Sequence, residues 1–321
     1  MAERTDKNSH TVIMIGAGPA ALSAAIYTTR EDIETVLLEK AIPGGMAAIT
    51  DVIDNYPGFP KGVPGTELAL NLQQQAERFG AVIEPAEVLG LYDEGEWKRV
   101  ETTDGDLYAK AILVATGSDY KKLGIPGEAE YYARGVHYCA TCDGAFYRDK
   151  RIAVVGGGNS AVQEAIFLTR FATHIDLMVR SKLRASDVLK KELQEYVDAG
   201  KVTIHLGTTT DEIQAGEDKL VNNIVGTDTA TGKKVEIAVN GVFVFIGLDP
   251  NSKFLNGALE LDEVGLIKTN ENLESSIPGV FVAGDIRSGA TMQVASAVGE
   301  GATAALKIRE YLEELHRAEV A

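Results

Sequence analysis

This chain of 321 residues has few cysteines, no long apolar segment and no net positive charge. Its two cysteines are too few for the disulfide framework of a secreted domain. No window reaches the roughly 20 apolar residues that cross a bilayer, and residues 1–10 lack the apolar core of a signal peptide. A formal net charge of −16 repels nucleic-acid phosphates and anionic membranes. These absences predict a cytoplasmic protein that binds neither nucleic acid nor membrane.

Glycine-rich turns follow apolar strands at two places, and each turn leads into a helix. The first strand ends at Ile15 and is followed by Gly16-Ala17-Gly18-Pro19-Ala20. The second ends at Val155 and is followed by Gly156-Gly157-Gly158-Asn159-Ser160-Ala161. Glycines allow the backbone to approach a pyrophosphate, whose charge then meets the N–H groups at the helix N-terminus. The two turns predict two Rossmann-like dinucleotide-binding domains.

An acidic residue ends the strand that follows the first turn. Glu39 lies 23 residues after Gly16. A carboxylate at this position accepts hydrogen bonds from ribose hydroxyls and opposes an adenosine phosphate. We therefore interpret the first turn as a site for FAD or NAD.

The strand after the second turn has no such acid. The residue 22 positions after Gly156 is Met178, which can neither accept from a hydroxyl nor pair with a phosphate. Basic residues follow it at Arg180, Lys182 and Arg184. Two interpretations of these residues stay open, contact with a 2′-phosphate and an exposed basic loop.

The two cysteines form the segment Cys139-Ala140-Thr141-Cys142, shortly before the second turn. Two intervening residues suit a redox disulfide, because a thiolate stabilised there is both nucleophile and leaving group. The competing interpretation is a zinc site, which normally needs four ligands, and only His137 lies nearby. Asp143 is either a proton donor to a leaving thiolate or a turn residue before Gly144. The pattern favours a flavin-dependent dithiol oxidoreductase without a metal.

The order of elements repeats within the chain. An apolar strand closes the first copy at Ala115-Thr116-Gly117, and residues 241–247 close the second in the same way. A further strand over residues 280–283 enters Gly284-Asp285, and a helix over residues 293–310 follows without a third nucleotide turn. The last elements are therefore expected to rejoin the first domain.

This repeat predicts an α/β fold of two Rossmann-like, three-layer domains, the second inserted in the first. The first domain is predicted to contain residues 1–117 and 249–321. The inserted domain, which carries the dithiol, is predicted to contain residues 118–248.

Together these residues resemble the low-molecular-weight thioredoxin reductases, class II of the FAD-dependent pyridine nucleotide-disulfide oxidoreductase family. The resemblance runs from about Thr11 to the C-terminal helix. Its most specific segment is Tyr138-Cys139-Ala140-Thr141-Cys142-Asp143-Gly144, which is similar to the active-site signature of that family almost letter for letter. The supporting matches are Gly16-Ala17-Gly18-Pro19-Ala20, Gly44-Gly45, Asn55-Tyr56-Pro57-Gly58, Ala115-Thr116-Gly117 and Ala283-Gly284-Asp285.

The resemblance implies a homodimer whose subunits have an FAD domain and an inserted nicotinamide domain. It implies that Cys142 exchanges electrons with the flavin, that Cys139 attacks the disulfide of thioredoxin or a thioredoxin-like protein, and that Asp143 supplies or removes the proton. The positions implied for FAD are Gly16, Gly18, Pro19, Ala20, Glu39, Gly45, Asn55, Ala115, Thr116, Gly117, Gly284, Asp285, Gln293 and Val294. Those implied for NADPH or NADH are Gly156, Gly158, Asn159, Ser160, Arg180 and Arg184.

Four positions depart from the pattern of that family. Met178 and Val179 replace the histidine and the first arginine of its phosphate-binding run, and Met46 and Met292 replace a glutamine and an arginine near the flavin. The choice between NADPH and NADH therefore stays open. Two other functions also stay open: a disulfide reductase of the same fold fed by a ferredoxin or a deazaflavin, and a non-catalytic flavin-binding module.

Overall fold

The computed structural model describes residues 4–50 and 52–320. The strands in chain order are β1 (Ser9–Ile15), β2 (Thr35–Glu39), β3 (Val52–Ile53), β4 (Val63–Pro64), β5 (Val82–Pro85), β6 (Val88–Glu94), β7 (Trp97–Thr102), β8 (Gly105–Val114), β9 (Ser118–Tyr120), β10 (Val136–His137), β11 (Arg151–Val155), β12 (His174–Val179), β13 (Val202–Leu206), β14 (Glu212–Ala215), β15 (Val221–Thr227), β16 (Lys234–Ala238), β17 (Val242–Val244), β18 (Leu248–Pro250) and β19 (Val280–Val282). The α-helices are α1 (Pro19–Arg30), α2 (Gly45–Ala48), α3 (Gly65–Arg78), α4 (Ala140–Asp143), α5 (Asn159–Leu168), α6 (Asp187–Asp198) and α7 (Val294–Val320).

The chain divides into two compact units. The inserted unit runs from Tyr120 to Leu248, and the flanking unit combines the chain up to Asp119 with the chain from Asp249 onward. Each unit contains a wholly or largely parallel sheet with packed side chains on both faces. The predicted α/β fold, with one Rossmann-like domain inserted in another, is confirmed. The first crossing follows Asp119, slightly beyond the predicted boundary at Gly117.

The flanking unit has parallel strands in the order β5, β2, β1 and β8. The long strand β8 pairs antiparallel with β7 over its first half and parallel with β19 over its last residues. Strand β19 thus joins this sheet from the distant C-terminal part of the chain. In a parallel sheet of this kind, ligands bind beyond the carboxyl ends of the strands.

Strand β1 shows why the central strands are apolar at every position. Val12 and Met14 pack with residues of α1 and α7 on one face of the sheet, and Ile13 and Ile15 pack on the other. All of them are at most 3% exposed. Successive side chains of a strand point to opposite faces, so a strand covered on both faces must be apolar throughout. Each such side chain contributes about 1.5–3 kcal/mol by leaving water.

The inserted unit repeats this construction. Its parallel sheet has the order β10, β17, β11, β12 and β13, and a smaller antiparallel sheet contains β14, β15 and β16. Ile152 and Val154 pack on one face of β11, and Ala153 and Val155 pack on the other. The second glycine turn follows β11 as the first turn follows β1, so each lies at the carboxyl edge of its own sheet.

Helix α7 extends ten residues past the predicted end at Glu310, to Val320. It packs closely against α1 at Gly301. The missing side chain allows this approach, because a Cβ on Gly301 would lie 2.1 Å from the backbone oxygen of Ala20. In the described ranges, no helix is both long and apolar enough to cross a bilayer.

Candidate functional site

The first glycine turn fits tightly between two strands of the flanking unit. Gly16 has a φ of +99°, and a Cβ there would lie 2.7 Å from the Ala115 oxygen at the end of β8. Helix α1 then begins at Pro19, which suits the first helical position because it has no N–H to leave unpaired. A Cβ on Gly18 would meet no atom within 4 Å. The turn therefore offers open space beside a helix N-terminus, which is the environment that a pyrophosphate requires.

Glu39 is fixed over this turn by two backbone groups. Its Oε2 accepts from the N–H of Ala17 at 2.8 Å, and its Oε1 accepts from the N–H of Ala41 at 2.9 Å. A carboxylate has about four acceptor sites, so the two oxygens retain capacity for other donors. The end of β2 thus presents an oriented, partly exposed acceptor, as a ribose diol needs.

Other predicted flavin positions contact the first turn or one another. The N–H of Gly44 donates to the Ala17 oxygen at 2.7 Å, which brings the Gly44-Gly45 segment beside the turn. Asn55 and Gln293 lie far apart in sequence, yet Nδ2 of Asn55 donates to Oε1 of Gln293 at 2.9 Å. Gln293 immediately precedes Val294, the first residue of α7. The fold therefore brings these positions together in the flanking unit.

Asn251, which the sequence did not single out, holds the Thr116-Gly117 segment. Thr116 Oγ1 donates to the backbone oxygen of Asn251 at 2.8 Å, and Asn251 Nδ2 donates to the backbone oxygen of Thr116 at 3.1 Å. The N–H of Asn251 also donates to the Gly117 oxygen at 3.1 Å. These reciprocal bonds fix the backbone just beyond β8, next to the first turn.

Asp285 is a mostly buried carboxyl group three residues after β19. Burial, with a smaller contribution from the charge of Glu300, raises the pKa of Asp285 to about 6. The neighbouring Gly284 N–H donates to Glu300 at 2.9 Å, and Glu300 also pairs with Arg287 at 2.6 Å. No group in the described part of the chain donates a hydrogen bond to the Asp285 carboxyl. A mostly buried carboxyl group without a donor suits a ligand that carries hydroxyl groups.

The second glycine turn has the same close fit in the inserted unit. Gly156 has a φ of +147°, and a Cβ there would lie 2.3 Å from the Phe245 oxygen. The side chain of Asn159, the first residue of α5, accepts from the N–H of Ser186 at 2.8 Å. The N–H of Arg184 donates to the Gly157 oxygen at 2.6 Å. The loop after β12 is therefore tied to the second turn.

Strand register corrects the position that was compared with Glu39. Ile15 pairs with Leu38 in the flanking unit, and Val155 pairs with Met178 in the inserted unit. The residue that follows this pair is Glu39 in the first copy and Val179 in the second. Met178 is 1% exposed and packs in the core, so the predicted comparison of Met178 with Glu39 was wrong by one residue. Val179 lies 23 residues after Gly156, the same spacing that separates Glu39 from Gly16.

The basic residues after β12 are exposed, and the N–H of Arg184 joins them to the second turn through the Gly157 oxygen. Arg180, Lys182 and Arg184 all have exposed side chains. Within the described residues, no carboxylate forms an ion pair with any of them. In a chain with a net charge of −16, exposed cations without acidic partners attract anions.

Cys139 and Cys142 form a disulfide in the inserted unit. Cys139 precedes the short helix α4, and the N–H of Cys142 donates to Cys139 Sγ at 3.1 Å. Cys142 is exposed and Cys139 is partly exposed. A backbone N–H directed at sulfur stabilises a thiolate. In the part of the chain that the structure describes, no three His, Cys, Asp or Glu side chains are grouped to hold a metal ion.

A buried glutamate fixes the segment before the dithiol. Glu128 is 4% exposed and accepts from the Tyr138 hydroxyl at 2.8 Å and from the N–H groups of Leu123 and Gly124 at 2.8 and 2.7 Å. Burial, and then the hydrogen bond to Glu128, raises the pKa of Tyr138 well above its usual range. Because Tyr138 directly precedes Cys139, these bonds hold one end of the dithiol segment. Sequence reasoning missed Glu128, since a lone acid in a loop carries no motif.

Asp143 ends helix α4, and its side chain is directed toward His137. Its Oδ2 lies 3.2 Å from His137 Nδ1, and His137 Nε2 lies 2.7 Å from the Tyr147 hydroxyl. Asp143 is therefore one of three linked polar side chains beside the dithiol, in addition to its place in the turn before Gly144.

Comparisons with known proteins agree with this arrangement. The family described as pyridine nucleotide-disulphide oxidoreductase matches residues 10–301. A Bacillus subtilis (strain 168) protein named thioredoxin reductase is 40% identical over 312 residues, which cover 97% of each protein. The Listeria monocytogenes protein of that name is 39% identical over 313 residues, covering 97% of this chain and 96% of that protein. The crystal structure of thioredoxin reductase from Streptococcus pyogenes has a TM-score of 0.90 at 38% identity, covering 96% of this chain and 99% of that one.

Proposed function

Because the chain belongs to the pyridine nucleotide-disulphide oxidoreductase family, we propose that it is a thioredoxin-disulfide reductase. The observation that carries the proposal is the Cys139–Cys142 disulfide, which is accessible at Cys142 and lies in the same unit as the second glycine turn. Relatives named thioredoxin reductase match nearly the whole chain. The partner is thioredoxin or a thioredoxin-like protein, whose exposed disulfide the dithiol would reduce.

FAD is the flavin that the flanking unit suits. The open space at Gly18, the spare acceptor capacity of Glu39 and the mostly buried carboxyl group of Asp285 match its pyrophosphate and its hydroxyl groups. The residues proposed to hold it are Gly16, Gly18, Pro19, Ala20, Glu39, Gly45, Asn55, Ala115, Thr116, Gly117, Gly284, Asp285, Gln293 and Val294. When bound, the flavin would supply hydride acceptance from a reduced nicotinamide and two-electron transfer to the disulfide.

NADPH is the proposed nicotinamide. Its 2′-phosphate needs cations and no opposing acid, and the inserted unit has Val179 where the first copy has Glu39. Exposed Arg180 and Arg184 lie just beyond, and neither has an acidic partner among the described residues. The turn residues Gly156, Gly158, Asn159 and Ser160 would receive the pyrophosphate.

The thiol chemistry belongs to Cys139, Cys142 and Asp143. Two electrons and two protons convert the disulfide to two thiols. Cys139, as a thiolate, attacks one sulfur of the partner disulfide, and the released partner thiolate takes up a proton. Cys142, as a thiolate, then attacks Cys139 Sγ, which re-forms the disulfide and releases the second partner thiolate for protonation. Asp143 removes the proton from Cys139 and returns one when the disulfide is next reduced.

The assembly is proposed to be a cytoplasmic homodimer. The flanking unit would be the FAD domain, predicted as residues 1–117 and 249–321, and the inserted unit would be the nicotinamide domain. Large apolar side chains stand exposed in one stretch of the flanking unit, at Ile42, Ile49, Val52 and Leu70. Burial of such side chains by a second subunit would remove apolar surface from water. Light scattering of the purified protein at micromolar concentration would measure the assembly.

Anaerobic titration of the purified flavoprotein tests the proposal. NADPH should bleach the flavin absorbance, and catalytic amounts of enzyme with NADPH should then reduce thioredoxin, read by insulin precipitation. Bleaching without thioredoxin reduction would contradict the proposed partner.

If dithionite bleaches the flavin while NADPH and NADH do not, the donor is a ferredoxin or a deazaflavin. The loss of basic residues at Met178 and Val179 favours that alternative. A Cys142→Ser variant with unaltered function would support the non-catalytic flavin module.

A further inference from the structure

A histidine beside the dithiol joins Asp143 to the interior of the inserted unit. His137 is 8% exposed, and each of its ring nitrogens has one oxygen partner. Nδ1 lies 3.2 Å from Asp143 Oδ2, and Nε2 lies 2.7 Å from the Tyr147 hydroxyl. The sequence indicated His137 only as a candidate metal ligand. That role does not explain why its two ring nitrogens face Asp143 and Tyr147.

The chemistry of the three groups fixes which atoms carry protons when Asp143 is ionised. A carboxylate only accepts, so Nδ1 of a neutral imidazole must carry the proton. Nε2 then has a lone pair and accepts from the Tyr147 O–H. Tyr147 thus donates to His137 Nε2, and the protonated Nδ1 of His137 faces the Asp143 carboxylate at 3.2 Å, where it stabilises the charged form. That form is produced whenever Asp143 gives its proton to a thiolate.

Aromatic packing prevents the imidazole from turning away. The His137 ring stacks on Phe243 with centroids 5.1 Å apart, and the Tyr147 ring meets it edge-on at 5.3 Å. Tyr147 also meets Phe243 edge-on at 5.3 Å. Gly241 allows this packing, because a Cβ there would lie 2.3 Å from the Tyr147 ring. The histidine is therefore held with one nitrogen facing Asp143 and the other facing Tyr147.

We propose that His137 is a positioning residue for the thiol chemistry, which orients the Asp143 carboxyl group and stabilises its carboxylate as the proton moves to Cys139. The proposal rests on the proposed function, in which Asp143 exchanges that proton. The attraction between His137 Nδ1–H and Asp143 Oδ2, which lie 3.2 Å apart, strengthens as negative charge develops on the carboxyl group. An attraction that strengthens along the reaction accelerates it, whereas one of constant strength does not.

Three replacements at His137 separate its contacts. His137→Asn keeps a side-chain N–H near the position of Nδ1, and His137→Gln keeps one near the position of Nε2. His137→Phe keeps the aromatic packing and removes both polar contacts. We expect the rate constant kcat for thioredoxin reduction to fall about tenfold in His137→Phe and His137→Gln and less than about threefold in His137→Asn. The KM for thioredoxin should not change.

A double-mutant cycle with Asp143→Asn distinguishes positioning from a general structural role. If His137 acts through Asp143, His137→Phe should lower kcat about tenfold in the wild-type background and have no further effect in the Asp143→Asn background. An equal loss of kcat in both backgrounds, or full activity of His137→Phe, would overturn the proposal. Ferricyanide reduction, which bypasses the dithiol, should be unchanged in all variants.

A measurement that needs no flavin chemistry separates failure of this proposal from failure of the proposed function. After reduction with dithiothreitol, the rate of cysteine alkylation by iodoacetamide should be lower in His137→Phe than in the wild type, because an Asp143 charge without its donor disfavours a nearby thiolate. In the Asp143→Asn background the same replacement should not change that rate. If no variant or wild type reduces thioredoxin but this coupling is observed, the partner is wrong and the role of His137 stands. If the alkylation rates show no coupling, the role of His137 is refuted.

Discussion

Replacing Asp285 by asparagine should stabilise the flavin-free protein at neutral pH and weaken its hold on FAD. The carboxyl group is mostly buried near the charge of Glu300, and no hydrogen-bond donor from the described residues reaches it. Asparagine has nearly the same shape and does not ionise. The replacement therefore removes a buried charge, but it also removes the carboxylate that is proposed to accept hydrogen bonds from FAD.

The magnitude follows from the pKa of Asp285, which rises from 3.8 to about 6 through burial and then through the Glu300 charge. An acid with a raised pKa in the folded state destabilises that state as pH rises, because the folded protein binds the proton more tightly than the unfolded chain. The loss begins above pH 3.8 and is complete above about pH 6. At about 1.4 kcal/mol per pKa unit, it amounts to about 3 kcal/mol at pH 7.5 and about half of that at pH 5.

Urea unfolding of the flavin-free protein measures this effect. The single tryptophan, Trp97, lies in β7, so its fluorescence reports on the flanking unit. Asp285→Asn should raise the free energy of unfolding by about 3 kcal/mol at pH 7.5 and by about 1.5 kcal/mol at pH 5. Asp262→Asn is the control, because the pKa of Asp262 is lowered despite burial, by hydrogen bonds from Ser288 and backbone N–H groups, and its contribution should be equal at both pH values. A gain for Asp285→Asn that does not depend on pH would refute the reasoning.

Three further replacements test the proposed roles of single residues. Cys139→Ser should leave bleaching of the flavin by its donor intact and abolish thioredoxin reduction, and normal turnover would exclude Cys139 as the attacking thiol. Arg184→Ala should lower kcat/KM for NADPH by about tenfold, the effect of losing one charged phosphate contact, without changing that for NADH. Lys191→Ala is its control, because it removes another exposed cation, on α6, and an equal loss there would indicate general electrostatics. Gly16→Ala should be purified with little flavin, because its Cβ would lie 2.7 Å from the Ala115 oxygen, and a fully yellow variant would show that the turn can move.

The local patterns of the sequence were sufficient to predict the two sheets and their turns. Residues such as Val12 and Ile13 are buried on opposite faces, so an uninterrupted apolar run marked a central strand. Glycines at Gly16 and Gly156 marked turns that approach another backbone. The counterpart of Glu39 was harder to locate, because β12 ends in two apolar residues, Met178 and Val179, and no polar side chain marks its last position. Only the pairing of β12 with β11 shows that Val155 pairs with Met178, which leaves Val179 as the counterpart of Glu39.

Long-range polar partners were the part that the sequence did not disclose. Glu128, Asn251 and Glu300 each fix a segment of a candidate site, yet none belongs to a recognisable motif. Their roles depend on which chain segments the fold brings within hydrogen-bond distance, and one sequence contains no signal for that. The family resemblance predicted Asn55 and Gln293 as two separate flavin positions. That their side chains form a hydrogen bond with each other is shown only by the folded flanking unit.

The two copies of the strand, turn and helix differ at the position occupied by Glu39 in the first and Val179 in the second. This difference determines which groups of a nucleotide each copy suits. Glu39 offers an oriented carboxylate, so the first copy suits hydroxyl groups and opposes a phosphate. Val179 is 2% exposed and neutral, and its Cγ1 would lie 2.9 Å from a Cβ on Gly157. The second copy therefore leaves recognition of a 2′-phosphate to exposed arginines, whose attraction is screened by salt. We expect the KM for NADPH to rise strongly with ionic strength while the flavin stays bound, and an unchanged KM would place phosphate recognition elsewhere.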